Sequence, residues 1–95
     1  ISKILSSLAK GSIGDWFVQL DQLEDALDYY EKAIDINTND YTTAMYLLKA
    51  AHVSMELNKN KKSYNYFSRI KSDYPNTVSA ENIDVFISKA KALLK

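Results

Sequence analysis

The chain has 95 residues, 12 of them basic and 12 acidic, with no cysteine, two glycines and one proline. Zero net charge excludes the broad basic field that nucleic acid needs, and the lack of cysteine excludes disulfides and thiolate metal sites. Glycine and proline are too scarce for a fold of many tight turns, which points away from sandwiches and barrels and toward helices.

In chain order, the apolar residues recur in steps of three and four. The first segment carries Ile4, Leu5, Leu8, Ile13, Trp16, Phe17 and Leu20. This stripe predicts a helix. After a break at Asp21-Gln22, Leu23, Ala26, Leu27, Tyr30, Ala33 and Ile34 predict a second helix. Asn37-Thr38-Asn39-Asp40 reads as a turn, with Asp40 or Thr42 able to cap the next helix. Ala44, Leu47, Leu48, Ala51 and Met55 mark the third, and Asn58 suits a left-handed helix end. Ser63, Tyr66, Phe67 and Ile70 mark the fourth, stopped by Pro75, which forces Tyr74 out of helical geometry. The fifth is expected from near Ser79, with Ile83, Phe86, Ile87, Ala90, Leu93 and Leu94 on one side and Lys89, Lys91 and Lys95 near its negative end. No apolar run approaches the ~20 residues of a membrane span, so this segment is not expected to insert in a bilayer. Ile1 in place of Met reads as a processed product or an excised fragment, and the polar breaks at Lys3, Ser6 and Ser7 argue against a signal peptide.

Ala26 and Ser63, Tyr30 and Phe67, and Ala33 and Ile70 stand 37 positions apart, as do Gly14 and Ala51. A fixed offset of this order signals stacked helical units. The expected architecture is all-α, an antiparallel helical hairpin stack of about five helices in one domain. Residues 1–37 form a first hairpin, 41–74 a second, and 78–95 a capping helix. Tyr30 and Phe67 should be buried between hairpins, with Tyr29 and Tyr66 less so.

Ile13-Gly14-x-x-Phe17 resembles the L-G-x-x-Y of a tetratricopeptide first helix, and Ala26-x-x-x-Tyr30-x-x-Ala33 its second-helix A-x-x-x-F-x-x-A. The second unit keeps Ser63, Phe67, Ile70 and Pro75, but Ala50-Ala51-x-x-Ser54 replaces the first-helix motif and Thr38 stands where the first unit would have proline. The family period is about 34 residues; the surplus is placed at Tyr41-Thr42-Thr43. The resemblance covers roughly residues 7–75. It implies a solenoid fragment that binds a peptide or protein segment in a groove lined by first helices. A narrower likeness lies in 45–51, in 70–76 and at Ile83-Asp84. These stretches resemble the C-terminal part of membrane-anchored tetratricopeptide proteins of the Bacteroidetes type. That likeness implies a cell-envelope location, an anchor and earlier repeats upstream, and a link to protein export or envelope assembly.

The groove candidates are Asp15 and Val18 in the first unit and Met45, His52 and Met55 in the second, with Leu8, Gly11 and Leu48 beside them. Asp15 and His52 are equivalent by the same offset, and a charged hydrogen bond between them is an expectation. The lysines, asparagines and arginine with which some tetratricopeptide proteins grip carboxylate tails have no counterpart here. The only histidine lacks the partners of a catalytic or metal site, so no enzyme activity and no cofactor are expected. Helix two is acidic and the region 58–73 basic; the two second helices attract along the stack, pair two copies head to tail, or face solvent as separate charged surfaces. The cluster Lys59, Lys61 and Lys62 is too small for nucleic acid. Ile4, Leu5 and Trp16 have no preceding helix to cover them and are expected to be exposed. They mark a self-association face, and a homodimer or a longer structural solenoid is the alternative function.

Overall fold

Helix α1 spans Lys3–Gln19, opened by Ser2, whose side chain accepts from the Ile4 and Leu5 N–H groups. In the computed structural model, which describes residues 2–36 and 38–94, α1 is followed by α2 (Leu23–Ile36), α3 (Thr42–Glu56), α4 (Asn60–Asp73), a 3-10 turn at Val78–Ala80 and α5 (Ile83–Ala92). There is no strand among the described residues. Each helix packs on the next in sequence, and α1 also touches α3. Short connections make neighbours antiparallel. The Cα atoms span 42 × 31 × 17 Å, a row of helices two deep, with α1, α3 and α5 in one layer and α2 and α4 in the other.

The 37-residue offset holds at atomic detail. Helices α2 and α4 begin and end 37 residues apart, as do the ends of α1 and α3. Both first helices close in the same turn. Asp21 and Asn58 take left-handed conformations (φ 57° and 61°), which short polar side chains tolerate best among non-glycine residues. The Gln22 N–H bonds the Phe17 carbonyl at 2.9 Å and the Lys59 N–H the Ser54 carbonyl at 2.8 Å, the long closing bond of a Schellman motif. The left-handed end expected at Asn58 is present, and α4 stops at Asp73 with Tyr74 non-helical (φ −134°).

The core is made by the second helices and the inner faces of the first. Ala26, Tyr30 and Ala33 are buried on α2; their counterparts Ser63, Phe67 and Ile70 are buried on α4. Tyr29 and Tyr66 are half-buried, as the offset requires. Two buried hydroxyls tie the hairpins: Ser7 Oγ donates to the Ala33 carbonyl at 2.7 Å, and Ser63 Oγ to the Ala51 carbonyl at 3.0 Å.

Helix α1 buries a different side from its apolar stripe. Its buried residues are Ser7, Gly11 and Gly14, and the stripe of large apolar residues is mostly exposed. The reason is close approach. The Tyr46 ring of α3 lies against Gly11 and the Tyr30 ring of α2 against Gly14, so no side chain fits at either position. Two further details differ. Neither Asp40 nor Thr42 caps α3: the Asn39 side chain does so, its Oδ1 accepting from the Tyr41 and Thr42 N–H groups at 2.8 Å. Helix α5 starts at Ile83, not near Ser79, because Asn82 turns left-handed (φ 59°) after the 3-10 turn. Lys89 and Lys91 do stand in its last turn. Asn37 of the expected turn and Lys95 of the expected charge pattern lie outside the described residues.

Candidate functional site

The layer of first helices carries most of the predicted groove residues, and helical rise sets how far apart they stand. Met45 lies in the first turn of α3 and Met55 in its last, ten residues on, which at ~1.5 Å per residue is about 15 Å. Val18, the counterpart of Met55, lies at the end of α1. The five candidates thus share one layer without forming one pocket.

The Asp15–His52 hydrogen bond is not formed. The Asp15 carboxylate accepts from the Tyr30 hydroxyl at 2.5 Å and from Lys49 Nζ at 2.9 and 3.1 Å. Lys49 comes from α3, so this ion pair joins the two first helices and occupies the acceptor that His52 would need. Burial and the nearby Asp15 charge push the Tyr30 hydroxyl up, keeping it protonated as the donor. His52 packs instead edge-on against Phe67 (centroids 5.1 Å) and Phe86 (4.8 Å), two rings that stack on each other at 5.4 Å. Loss of water on that side, and the positive charge of Lys89, hold its imidazole below the usual range.

Met45 does line a cleft. It has a volume of about 540 Å³ and lies where α3 begins and the link from α4 to α5 passes over it. Tyr41, Met45, Thr77 and Val78 line it together with Asp40, Asn76 and Ser79. Tyr41 is 67 % exposed and Val78 81 %, large apolar surface for a turn and a 3-10 segment. Pockets that take a partner's side chain have this character, an apolar wall with a few polar groups at the edge. Tyr41 and Val78 were not legible as a site because they are far apart in sequence and sit outside the helical pattern. The usable signal was an apolar residue in each of two turn-rich stretches.

On the opposite layer, the attraction between second helices is real. Lys59 Nζ lies 3.4 Å from Glu24 and Lys62 Nζ 2.9 Å from Glu31, and the Tyr66 hydroxyl donates to the same Glu31 carboxylate. Two of the three clustered lysines therefore work inside the stack. Ile4, Leu5 and Trp16 are exposed, as expected. Among the described residues no group of three or more His, Cys, Asp or Glu is placed to hold a metal ion, and no helix is long and apolar enough to cross a membrane.

No family model, no curated protein and no solved structure matches this chain.

Proposed function

We propose that this chain is a non-catalytic interaction module of the tetratricopeptide type, and that it takes an apolar side chain of a protein partner in the cleft of Tyr41, Met45 and Val78. The observation that carries this reading is the concave apolar surface at the start of α3, where Tyr41 and Val78 are both exposed beside Met45. His52 and Lys49, further along the same layer, would meet the partner's polar groups. The cleft is made by the turn before α3, by Met45 in its first turn and by the 76–79 link, so a partner side chain would dock between a helix end and a loop. The test compares the chain with its Val78→Asp and Tyr41→Ala variants as bait in native cell extract, after circular dichroism has shown equal helicity. Proteins captured by the chain and lost from both variants support the reading; an identical set from all three overturns it.

A second reading, a structural segment that self-associates, is favoured by one observation: Trp16 is 66 % exposed on a helix that has a second apolar side. Sedimentation velocity of the chain alone separates the two readings.

A further inference from the structure

Helix α1 has two working faces. Ser7, Gly11 and Gly14 meet the rest of the molecule. On the opposite side stand Leu5, Ala9, Ile13 and Trp16, with Leu5 57 % and Ile13 38 % exposed and no charged residue among them. The chain contains this outer face twice more. In steps of 37 residues, Leu5, Ala9, Ile13 and Trp16 become Thr42, Tyr46, Ala50 and Val53 of α3, all buried. One step further, the last three become Ile83, Ile87 and Ala90 of α5, buried or half-buried. In both later instances the preceding second helix supplies cover, joined on α3 by α1, whose Gly11 lies against the Tyr46 ring. Tyr46 stacks on Tyr30 of α2 (centroids 6.0 Å), and α5 packs on α4.

The α2–α3 seam also specifies what a cover must present. Tyr30 of α2 touches both neighbours, its ring against Gly14 of α1 and stacked on Tyr46 of α3, and Leu23, Leu27 and Ile34 share its side of α2 at helical spacing. Beside this seam α2 touches α4 through Glu31, which meets Lys62 and Tyr66. The counterparts of Lys62 and Tyr66 one unit earlier are Asp25 and Tyr29. Asp25 is exposed and has no ion pair among the described residues. A helix seated on α1 as α2 sits on α3 would bring its own Glu31 position against an aspartate where α2 finds a lysine. The charge there must be inverted.

We infer that the outer face of α1, edged by Asp25, is a docking surface for a partner's amphipathic helix. That helix carries large apolar residues at the spacing of Leu23, Leu27, Tyr30 and Ile34, and a lysine or arginine at the position of Glu31. This site is separate from the Met45 cleft, and neither depends on the other.

The probe is a synthetic peptide of residues 22–36, side-chain stapled at positions 28 and 32, the exposed pair, and made with Glu31→Lys or with Glu31 kept. Trp16 is the only tryptophan, lies on the face, and reports its occupancy by fluorescence. The Glu31→Lys peptide is expected to shift Trp16 emission to the blue and saturate. The Glu31 peptide should bind about fivefold more weakly at low salt, the scale of exposed charge pairs. An Asp25→Lys chain should reverse the order. A Leu5→Asp/Ile13→Asp chain, altered only at exposed positions, should keep its helicity and lose the shift. Equal affinity of the two peptides, no shift with either, or undiminished binding to the Leu5→Asp/Ile13→Asp chain overturns the inference. So does a concentration-dependent blue shift of the chain alone with a dimer in sedimentation, which would make a second copy the occupant.

Discussion

Replacing Gly11 by alanine puts two effects of opposite sign in competition. In an exposed helix interior the change stabilises by about 1 kcal/mol through backbone entropy. Here the new Cβ would overlap Cε1, Cζ and Oη of Tyr46. That ring has little freedom to yield, being 2 % exposed and stacked on Tyr30. Turning it out to solvent forfeits its burial, about 2–3 kcal/mol for a large side chain, and squeezing past it costs about 1–3 kcal/mol in overpacking. The net expectation is a loss of about 1–2 kcal/mol, at about 4–8 °C in midpoint for each kcal/mol in a domain this small. Urea melts followed by circular dichroism measure it. A second background sharpens the test. Tyr46→Leu removes the three clashing atoms, so Gly11→Ala added to it should change sign and stabilise by up to about 1 kcal/mol. If Gly11→Ala stabilises the unaltered chain, the Tyr46 ring does not rest on Gly11, and the account of the α1–α3 seam fails.

Ser54 is fully buried, and its hydroxyl has no hydrogen-bond partner among the described residues. Ser54→Ala should leave stability unchanged or raise it by up to about 1 kcal/mol in urea melts, since an unsatisfied buried polar group is removed; a clear loss would reveal an unseen partner. Glu31→Gln should cost about 1 kcal/mol at low salt, and the gap to the unaltered chain should narrow in 0.5–1 M salt as screening weakens the Lys62 pair. A gap that is salt-independent would assign the effect to Tyr66 alone. Burial against the two phenylalanine rings, and then the charge of Lys89, hold the folded-state pKa of His52 below its ordinary value, so the unfolded chain takes up its proton first as pH falls. Stability should therefore be full above about pH 6.5 and decline below it, and His52→Phe should remove that part of the decline in melts at pH 7.5 and pH 5.

The second helices were readable in the sequence because their apolar and small residues coincide with one buried face. Ala26, Tyr30 and Ala33 fall on it at helical spacing, and the offset carries them to Ser63, Phe67 and Ile70. Helix α1 misleads for a physical reason. Periodicity counts large apolar residues, whereas close helix approach selects small ones, and here the two stripes lie on opposite sides. The offset held the correction: Gly14 answers to Ala51, and Ile13 and Trp16 answer to Ala50 and Val53, which are buried only because α2 precedes them. The site was less legible. Asp15 and His52 were placed in the same layer, but which acceptor a lysine reaches, and which rings an imidazole meets, depends on side chains of α3 and α5 that no local pattern ties together. Lys49 and Phe86 decide the outcome, and each is separated from its partner by more than 30 residues.

The paired turns at Asp21 and Asn58 also bear on how such a chain could change length. Because both close with the same hydrogen bonds around a left-handed residue at the same position, a recombination that joins Leu57 to Asp21 would rebuild a complete turn between α3 and a second copy of α2. Every helix would remain whole, α3 would meet Ala26, Tyr30 and Ala33 where it now meets their counterparts Ser63, Phe67 and Ile70, and the gene would gain one hairpin through a turn it already encodes. The reverse exchange, Leu20 joined to Asn58, would delete one as cleanly. The turn is thus a natural breakpoint, at which the protein can be lengthened or shortened by whole units while mutation elsewhere has no new fold to discover.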